Sequence, residues 1–287
     1  MKRSGTTRGK IVAVTGGARG IGKALAAQFT AAGARVAIGD RDLEAAEDTA
    51  AELGVHAFGL DVTDPDSFAG FLSAVRGELG PIDVLVNNAG IMWVGAFDEE
   101  PDPATRAQLD VNLLGVINGI KTTAPAMREA ERGHLITVAS AASILPTPGE
   151  ATYAATKHGV LGYLKAVRAE MRGSGVHFSV VMPVVVDTVL AAGTGTGAGP
   201  LLRPDDVAAA VVAAVGRPRF EITVPGFIGP VARLAGLLPQ PVRDRVFAVM
   251  VPDQVAQVRA DARAGYEQSA FTTSRAGRGQ ERAASAE

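Results

Sequence analysis

Short apolar runs alternate along this chain with longer stretches in which apolar residues recur every three or four positions. The runs Ile11–Thr15, Arg35–Gly39, His56–Leu60, Val84–Asn87, His134–Ala139, His177–Met182 and Glu221–Val224 are rich in β-branched residues. Most show little apolar–polar alternation, the pattern of parallel strands buried on both faces. The stretches between them, such as the Ala-rich Lys23–Ala32, have good helix propensity. Regular strand–helix alternation predicts an α/β fold: one doubly wound, seven-stranded parallel sheet with helices on both faces. The pattern divides the chain into a flexible start (1–9), one α/β domain (10–225), a helical extension (226–271) and a tail (272–287) with almost no large apolar residue. That tail is expected to be disordered. Within the extension, Leu234, Leu237 and Leu238 predict one short apolar face. Val242, Val246, Val249 and Met250 follow i, i+4, i+7, i+8 spacing, and Val255, Val258 and Ala262 suggest a further helix. Such helices are expected to cover a cleft or to pack on a second subunit.

Composition narrows the function classes. A chain of 287 residues can bury a large single core. A net charge of −2 leaves no electrostatic footprint for nucleic acid. With no cysteine there is no disulfide framework and no thiolate metal site, and the 4 histidines are scattered without ligand spacing, so no metal is expected. No apolar run approaches the ~18 residues of a membrane span. Met1–Lys10 is basic and polar, and Ile11–Val14 is too short for a signal-peptide core, so a cytoplasmic location is expected.

The first strand runs directly into Thr15-Gly16-Gly17-Ala18-Arg19-Gly20-Ile21-Gly22 and then into a helical stretch. Glycines at such a turn permit positive φ and let the backbone approach a pyrophosphate at the positive end of a helix. A tight turn without a ligand is the plainer alternative. The second strand ends at Asp40, where a carboxylate can accept from both adenosine ribose hydroxyls and would repel a 2′-phosphate. Asp40 therefore argues for NAD over NADP, although Arg19 and Arg41 could pair with a 2′-phosphate.

Tyr153 and Lys157 stand four residues apart in ATYAATK, which puts both on one helical face. A neighbouring ammonium favours phenolate and is expected to lower the Tyr153 pKa from ~10 towards the working range. Such a pair suits proton transfer to or from an alcohol or carbonyl oxygen.

In these motifs, and over nearly everything from Lys10 to about Pro225, the chain resembles the short-chain dehydrogenase/reductase family. Thr15, Gly16, Gly20 and Gly22 match its TGxxxGxG motif, and the resemblance implies a Rossmann-type domain holding a dinucleotide against Gly16, Arg19, Gly20, Ile21 and Gly22. It places Asp40 and Arg41 at the adenosine ribose, Asp61 and Val62 at the adenine, and Asn88, Ala89 and Gly90 of the Asn87-Asn88-Ala89-Gly90 strand end beside the adenosine. Asn112 falls where the family keeps an Asn that holds a relay water. Ser140 precedes Tyr153 by thirteen residues, as the family's catalytic Ser does. The implied mechanism is hydride transfer, with Tyr153 as general acid or base, Lys157 tuning the phenol and holding the nicotinamide ribose, and Ser140 polarising the substrate oxygen. A strand-end hydroxyl satisfying a turn is the alternative role for Ser140, and a helix-kink side chain bonded to backbone is that for Asn112. Pro183, Val186 and Thr188 match the family's nicotinamide-carboxamide segment, but Val184 replaces its usual Gly, so that loop must turn without positive φ. The family also implies a homodimer or homotetramer.

Thr188–Pro204, with four alternating glycines, reads as a flexible substrate loop or a connector. Substrate-facing candidates are Met92, Trp93, Val94, Ile144, Leu145, Val184 and Leu190. Their apolar character points to a bulky steroid-, terpenoid- or lipid-like alcohol or ketone. The competing readings are an NADP-dependent carbonyl reductase, a non-catalytic NAD(H) sensor, and an interaction protein acting through its C-terminal helices.

Overall fold

The apolar runs become seven strands in the computed structural model, which describes residues 7–197 and 199–272. The expected disorder of residues 273–287, and most of the expected flexible start, fall outside that range. The strands are β1 (Ile11–Thr15), β2 (Arg35–Asp40), β3 (His56–Gly59), β4 (Val84–Asn87), β5 (Gly133–Val138), β6 (Val176–Pro183) and β7 (Glu221–Val224). All adjacent pairs are parallel, in the order β3-β2-β1-β4-β5-β6-β7. Three helices lead up to the central strand: α1 (Gly20–Ala31), α2 (Leu43–Leu53) and α3 (Pro65–Leu79). Beyond β4 come α4 (Asp102–Gln108), α5 (Gly115–Glu129), α6 (Ala151–Glu170) and α7 (Pro204–Gly216).

The two-residue period of a strand divides the core into two layers. Ile11, Ala13 and Leu85 point to one face, where Phe68, Phe71 and Leu72 of α3, Ile120 of α5 and Leu164 of α6 cover them. Val12, Val14 and Val86 point to the other, under Leu25 and Phe29 of α1 and Val207 and Val211 of α7. Buried on both faces, these strands have no polar side to write into the sequence, which is why they read as continuous apolar runs. The order reverses between β1 and β4, so their connections leave to opposite faces and open a crevice over the strand ends.

After β7 the chain forms α8 (Ile228–Ala235), α9 (Gln240–Met250), α10 (Gln254–Gln257) and α11 (Ala260–Thr272). The extension is helical, but its packed faces differ from those expected. Leu234, Leu237, Val242 and Val249 are exposed, Val249 at 80%. Of the expected residues Met250 does pack, with Ile228, Ala232, Phe247 and Val251, against Ala141 and Leu145 beside the crevice, and Val258 packs beside Met92 and Val94. Ala262 is exposed as well, and the fully buried member of α11 is Arg263. Hydrophobic period shows which side of a helix is apolar; it does not show which side meets the protein. Among the described residues no helix is long and apolar enough to cross a membrane.

Candidate active site

The glycine turn between β1 and α1 is built for close backbone approach. Gly16 has φ 66°, and a Cβ on Gly22 would lie 1.9 Å from the Gly16 carbonyl oxygen. The start of α1 carries no capping side chain and no acid in its first turn, leaving the positive end of the helix for an anion. Thr15 Oγ1 accepts the N–H groups of Asn88 (3.0 Å) and Ala89 (3.1 Å). Asn88 Nδ2 donates to the carbonyls of Thr15 and Gly16, both at 3.0 Å. Gly16, Gly20, Ile21, Gly22, Asn88, Ala89 and Gly90 are thereby held at one end of the crevice.

Asp40, at the end of β2, accepts the N–H of Ala18 through Oδ2 (3.0 Å) and of Asp42 through Oδ1 (3.1 Å). Arg19 is ion-paired with Asp42, and Arg41 is exposed. Asp61 Oδ1 takes both the N–H (2.9 Å) and the hydroxyl (2.7 Å) of Thr63. Val62 is buried against Gly115, where a Cβ would come within 2.8 Å of it.

A cavity of ≈ 210 Å³ runs from Ile21, Asn88 and Gly90 past Ser140, Tyr153 and Lys157 to Phe227 and Met250. Tyr153 and Lys157 lie on one face of α6, both buried, with Lys157 Nζ 5.3 Å from the phenol ring centre. Ser140 follows β5, and its Oγ accepts the Ala142 N–H (3.1 Å) while also hydrogen-bonding the phenol. It therefore fills the turn-satisfying role and faces the cavity as well. Asn112 sits in a wide π turn, Leu109–Leu114, of the kind often found at functional sites. Its Oδ1 accepts the Ile91 N–H (2.8 Å), and its Nδ2 donates to Ile91 O (2.8 Å) and Thr156 Oγ1 (3.3 Å). Its amide is thus committed to backbone and Thr156, the alternative its sequence position left open.

The expected tuning of the phenol is reversed in this structure. Burial pushes the Tyr153 phenol above its ordinary value, and Glu150 pushes it further; the Ser140 hydrogen bond pulls it down, against a smaller upward push from Tyr266. Burial also depresses the Lys157 ammonium, to about 8. Desolvation of the pair outweighs the attraction expected between ammonium and phenolate.

Of the substrate-facing candidates, Met92, Leu145, Val184 and Leu190 line the cavity, whereas Trp93, Val94 and Ile144 do not. The Trp93 indole lies over Gly95, where a Cβ would fall 2.4 Å from the ring. Val94 is buried beside Met92 and Tyr153, and Ile144 packs on the core. Pro183, Val186 and Thr188 line the cavity. Val184 has no positive φ, as its β-branch requires.

Four polar residues that sequence reasoning passed over complete the site. Gln254 clamps the loop after Thr188, accepting the Gly195 N–H (2.7 Å) and donating to its carbonyl (2.8 Å). Arg263, 1% exposed, donates to the carbonyls of Met92 (2.7 Å), Leu190 (3.0 Å) and Ala192 (3.1 Å), and to Glu267 (2.8 Å). Tyr266 accepts the Met92 N–H (2.9 Å). The loop read as flexible is therefore fastened to the C-terminal helices. The available signal was the spacing of Arg263, Tyr266 and Ala270, a helical stripe headed by polar residues.

Glu150, the fourth, stands one helical turn before Tyr153, a spacing that could have revealed it. Its carboxyl is buried and pushed up to about 7, by burial first, with the Thr147 hydroxyl and Arg263 opposing. The folded pKa is above the unfolded value of 4.5, so the folded state holds this proton more tightly. That contribution is complete below pH ~4.5 and is lost as pH rises through ~7, about 3 kcal/mol in all. Glu150→Gln, which cannot ionise, is expected to gain stability relative to the parent between pH 5 and pH 9 in urea unfolding. An offset equal at both pH values would contradict the assignment.

Comparison with known proteins agrees with this geometry. Residues 10–198 match the family model described as short chain dehydrogenase. The chain is 29% identical over 277 residues to human estradiol 17-beta-dehydrogenase 11 (Homo sapiens), covering 94% of this chain and 90% of that protein. It is 38% identical over 221 residues to the 1-deoxy-11-beta-hydroxypentalenate dehydrogenase of Streptomyces exfoliatus, covering 73% and 80% respectively. Among solved structures, a short chain dehydrogenase/reductase from Burkholderia phymatum in complex with NAD superposes with a TM-score of 0.74 at 25% identity, covering 81% of this chain and 94% of that one.

Proposed function

The chain belongs to the short-chain dehydrogenase family, and on that premise we propose that it interconverts a bulky, apolar secondary alcohol and its ketone with NAD(H). It is an oxidoreductase of CH–OH and C=O groups that uses a nicotinamide cofactor. The observation that carries the finer reading is the buried Ser140–Tyr153–Lys157 cluster in a cavity continuous with the glycine turn.

The residues present fit a dinucleotide. The uncapped start of α1 and the Gly16–Gly22 contact leave backbone, not side chains, to meet a pyrophosphate. Asp40, with Ala18 and Asp42 already bonded to it, is held in place to accept from ribose hydroxyls. Asp61 and Val62 would flank the adenine, Lys157 would hold the nicotinamide ribose, and Pro183, Val186 and Thr188 would meet the carboxamide. When bound, the nicotinamide supplies the acceptor or donor of hydride.

The rest is the work of the chain. Ser140 donates to the substrate oxygen and places it against the phenol, stabilising charge as it develops. Tyr153 gives its proton to that oxygen in reduction and takes the hydroxyl proton in oxidation. Burial keeps the phenol protonated, which suits the reductive direction. Lys157, charged below about pH 8, stabilises the phenolate once the proton has left. Asn112 fixes Ile91, and with it the strand-end loop that would lie beside the cofactor.

Two features support NAD over NADP: Asp40, at the end of β2, would meet a 2′-phosphate with like charge, and Arg19 is already paired with Asp42. The apolar lining, and the estradiol and pentalenate dehydrogenases among its relatives, support a steroid- or terpenoid-like skeleton. The test is a profile of alcohols and ketones with NAD and NADP side by side. We expect NAD to be preferred with apolar cyclic substrates, and Asp40→Ser to move the kcat/KM ratio towards NADP by about tenfold or more, the worth of ~1.4 kcal/mol. Turnover confined to small charged or sugar-like substrates would overturn the substrate class. An unchanged cofactor ratio would remove Asp40 from the discrimination.

A further inference from the structure

Among the described residues, Glu150 is the only carboxyl lining the cavity, and the reaction above makes no use of it. It precedes α6 at a position where a capping side chain normally bonds the first turn, yet it makes no such bond. The carboxyl is instead buried in the cavity wall, close enough to Tyr153 to disfavour the phenolate. The turn carrying it is fixed on three sides. Glu150 N–H bonds Thr147 O (3.1 Å), Gly95 N–H bonds Gly149 O (3.0 Å), and Gln254 N–H bonds Pro148 O (3.1 Å). Within the wall the neighbouring Thr147 hydroxyl and the Arg263 guanidinium both favour its charged form, the latter while bonding Glu267 and three carbonyls. The carboxyl therefore faces a largely apolar cavity, and the Thr147 hydroxyl beside it has no hydrogen-bond partner of normal geometry among the described residues.

We propose that Glu150 is a specificity-determining residue that hydrogen-bonds a second, uncharged oxygen of the substrate. The preferred substrate is then an apolar skeleton bearing a hydroxyl or carbonyl group besides the one that reacts. The proposal deepens the oxidoreductase reading and rests on it. Three points carry it. A buried carboxyl gains most from a hydrogen-bonding ligand where water has been displaced. Glu150 and Tyr153 lie one helical turn apart and border one cavity, so the two substrate oxygens are held from the same wall. Above about pH 7, where the carboxyl is ionised, an anionic group would meet like charge in an apolar setting, so acids are disfavoured and neutral dioxygenated skeletons favoured.

The probes are decalone, a series of hydroxydecalones with the hydroxyl moved around the ring, and decalin carboxylate. Binding is measured by calorimetry to the wild type, Glu150→Gln and Glu150→Leu, with and without NADH, and NADH binding is recorded separately. At least one hydroxydecalone should bind the wild type about 10–100-fold tighter than decalone, the worth of one hydrogen bond to a charged group. Glu150→Gln should keep most of that preference. Glu150→Leu should abolish it by weakening the hydroxydecalone while leaving decalone unchanged or tighter. A wild type indifferent to the hydroxyl, or a Leu variant that weakens both probes alike, overturns the proposal. Should Glu150→Leu fail to fold, the isosteric Gln variant decides: carboxylate exclusion must be relieved in it, and unrelieved exclusion counts against Glu150. Failure of NADH to bind any of the proteins would sink the oxidoreductase reading, while the nucleotide-free titrations still judge Glu150.

Discussion

Tyr153→Phe is expected to lower kcat/KM by about 10²–10⁴-fold in both directions, the usual worth of a positioned general acid or base. The substitution removes one hydroxyl and keeps the ring that packs with Met92, Val94 and Ala142. Ser140 Oγ retains its bond from Ala142 N–H, so the strand-end turn should hold. The phenol is buried and its ionised form disfavoured, so its loss should leave the folded state about as stable, within ~1 kcal/mol. The nucleotide end of the crevice, built from Gly16–Gly22 and Asn88, does not touch the hydroxyl. NADH affinity should therefore change less than about threefold. Steady-state kinetics, calorimetric NADH titration and thermal unfolding check the three parts together. Turnover within tenfold of the parent would remove Tyr153 from the proton-transfer role, whereas loss of NADH binding would make the kinetic loss uninformative about chemistry.

What the sequence disclosed and what it hid follow from how each feature is encoded. The strands were legible to within one or two residues at their ends, the inner ones because a strand buried on both faces must be apolar at nearly every position. Tyr153 and Lys157 were legible because helical spacing is local, and the glycine turn because its backbone tolerates no other residue at Gly22. The direction of the Tyr153 shift was not legible. It depends on how completely α6 is covered, and Glu150 and Tyr266, which also raise it, come from the turn before α6 and from α11. Trp93 was misplaced because its orientation is set by packing over Gly95, which the residue type alone does not specify. The cap was hidden for a different reason. Arg263 and Gln254 occupy buried positions as polar residues, and the loop backbone groups they bond lie 59 to 171 residues away in the chain. Apolar periodicity cannot see such contacts.

That hidden cap leads to the second large effect. Arg263→Met removes a buried cation that bonds Met92 and Leu190, Ala192 and Glu267, the first three through carbonyls on two separate loops. Breaking a buried charge pair costs about 3–5 kcal/mol, and each orphaned carbonyl adds about 1–3 kcal/mol if it stays dry. The α11 helix that supplies Arg263 has mostly exposed residues, with Arg263 and Ala270 its buried ones among those whose burial is described. It cannot absorb such a penalty and remain docked. The cheaper response is local: α11 leaves, the carbonyls of Leu190 and Ala192 reach water, and the two-layered sheet core stays folded. Hydrogen exchange should then lose about 10²-fold or more of its protection in residues 188–197 and 254–272, with little change in β1, β4 and β5. KM should rise by about tenfold or more for bulky substrates while kcat falls less, because Ser140, Tyr153 and Lys157 are held by β5 and α6 and not by the cap. Arg263→Lys should lie between parent and Met variant, since a single ammonium cannot span the four acceptors that the planar guanidinium reaches. Uniform loss of exchange protection across the sheet would instead make Arg263 a support of the whole fold, and the C-terminal helices would lose their standing as a separable cover of the cleft.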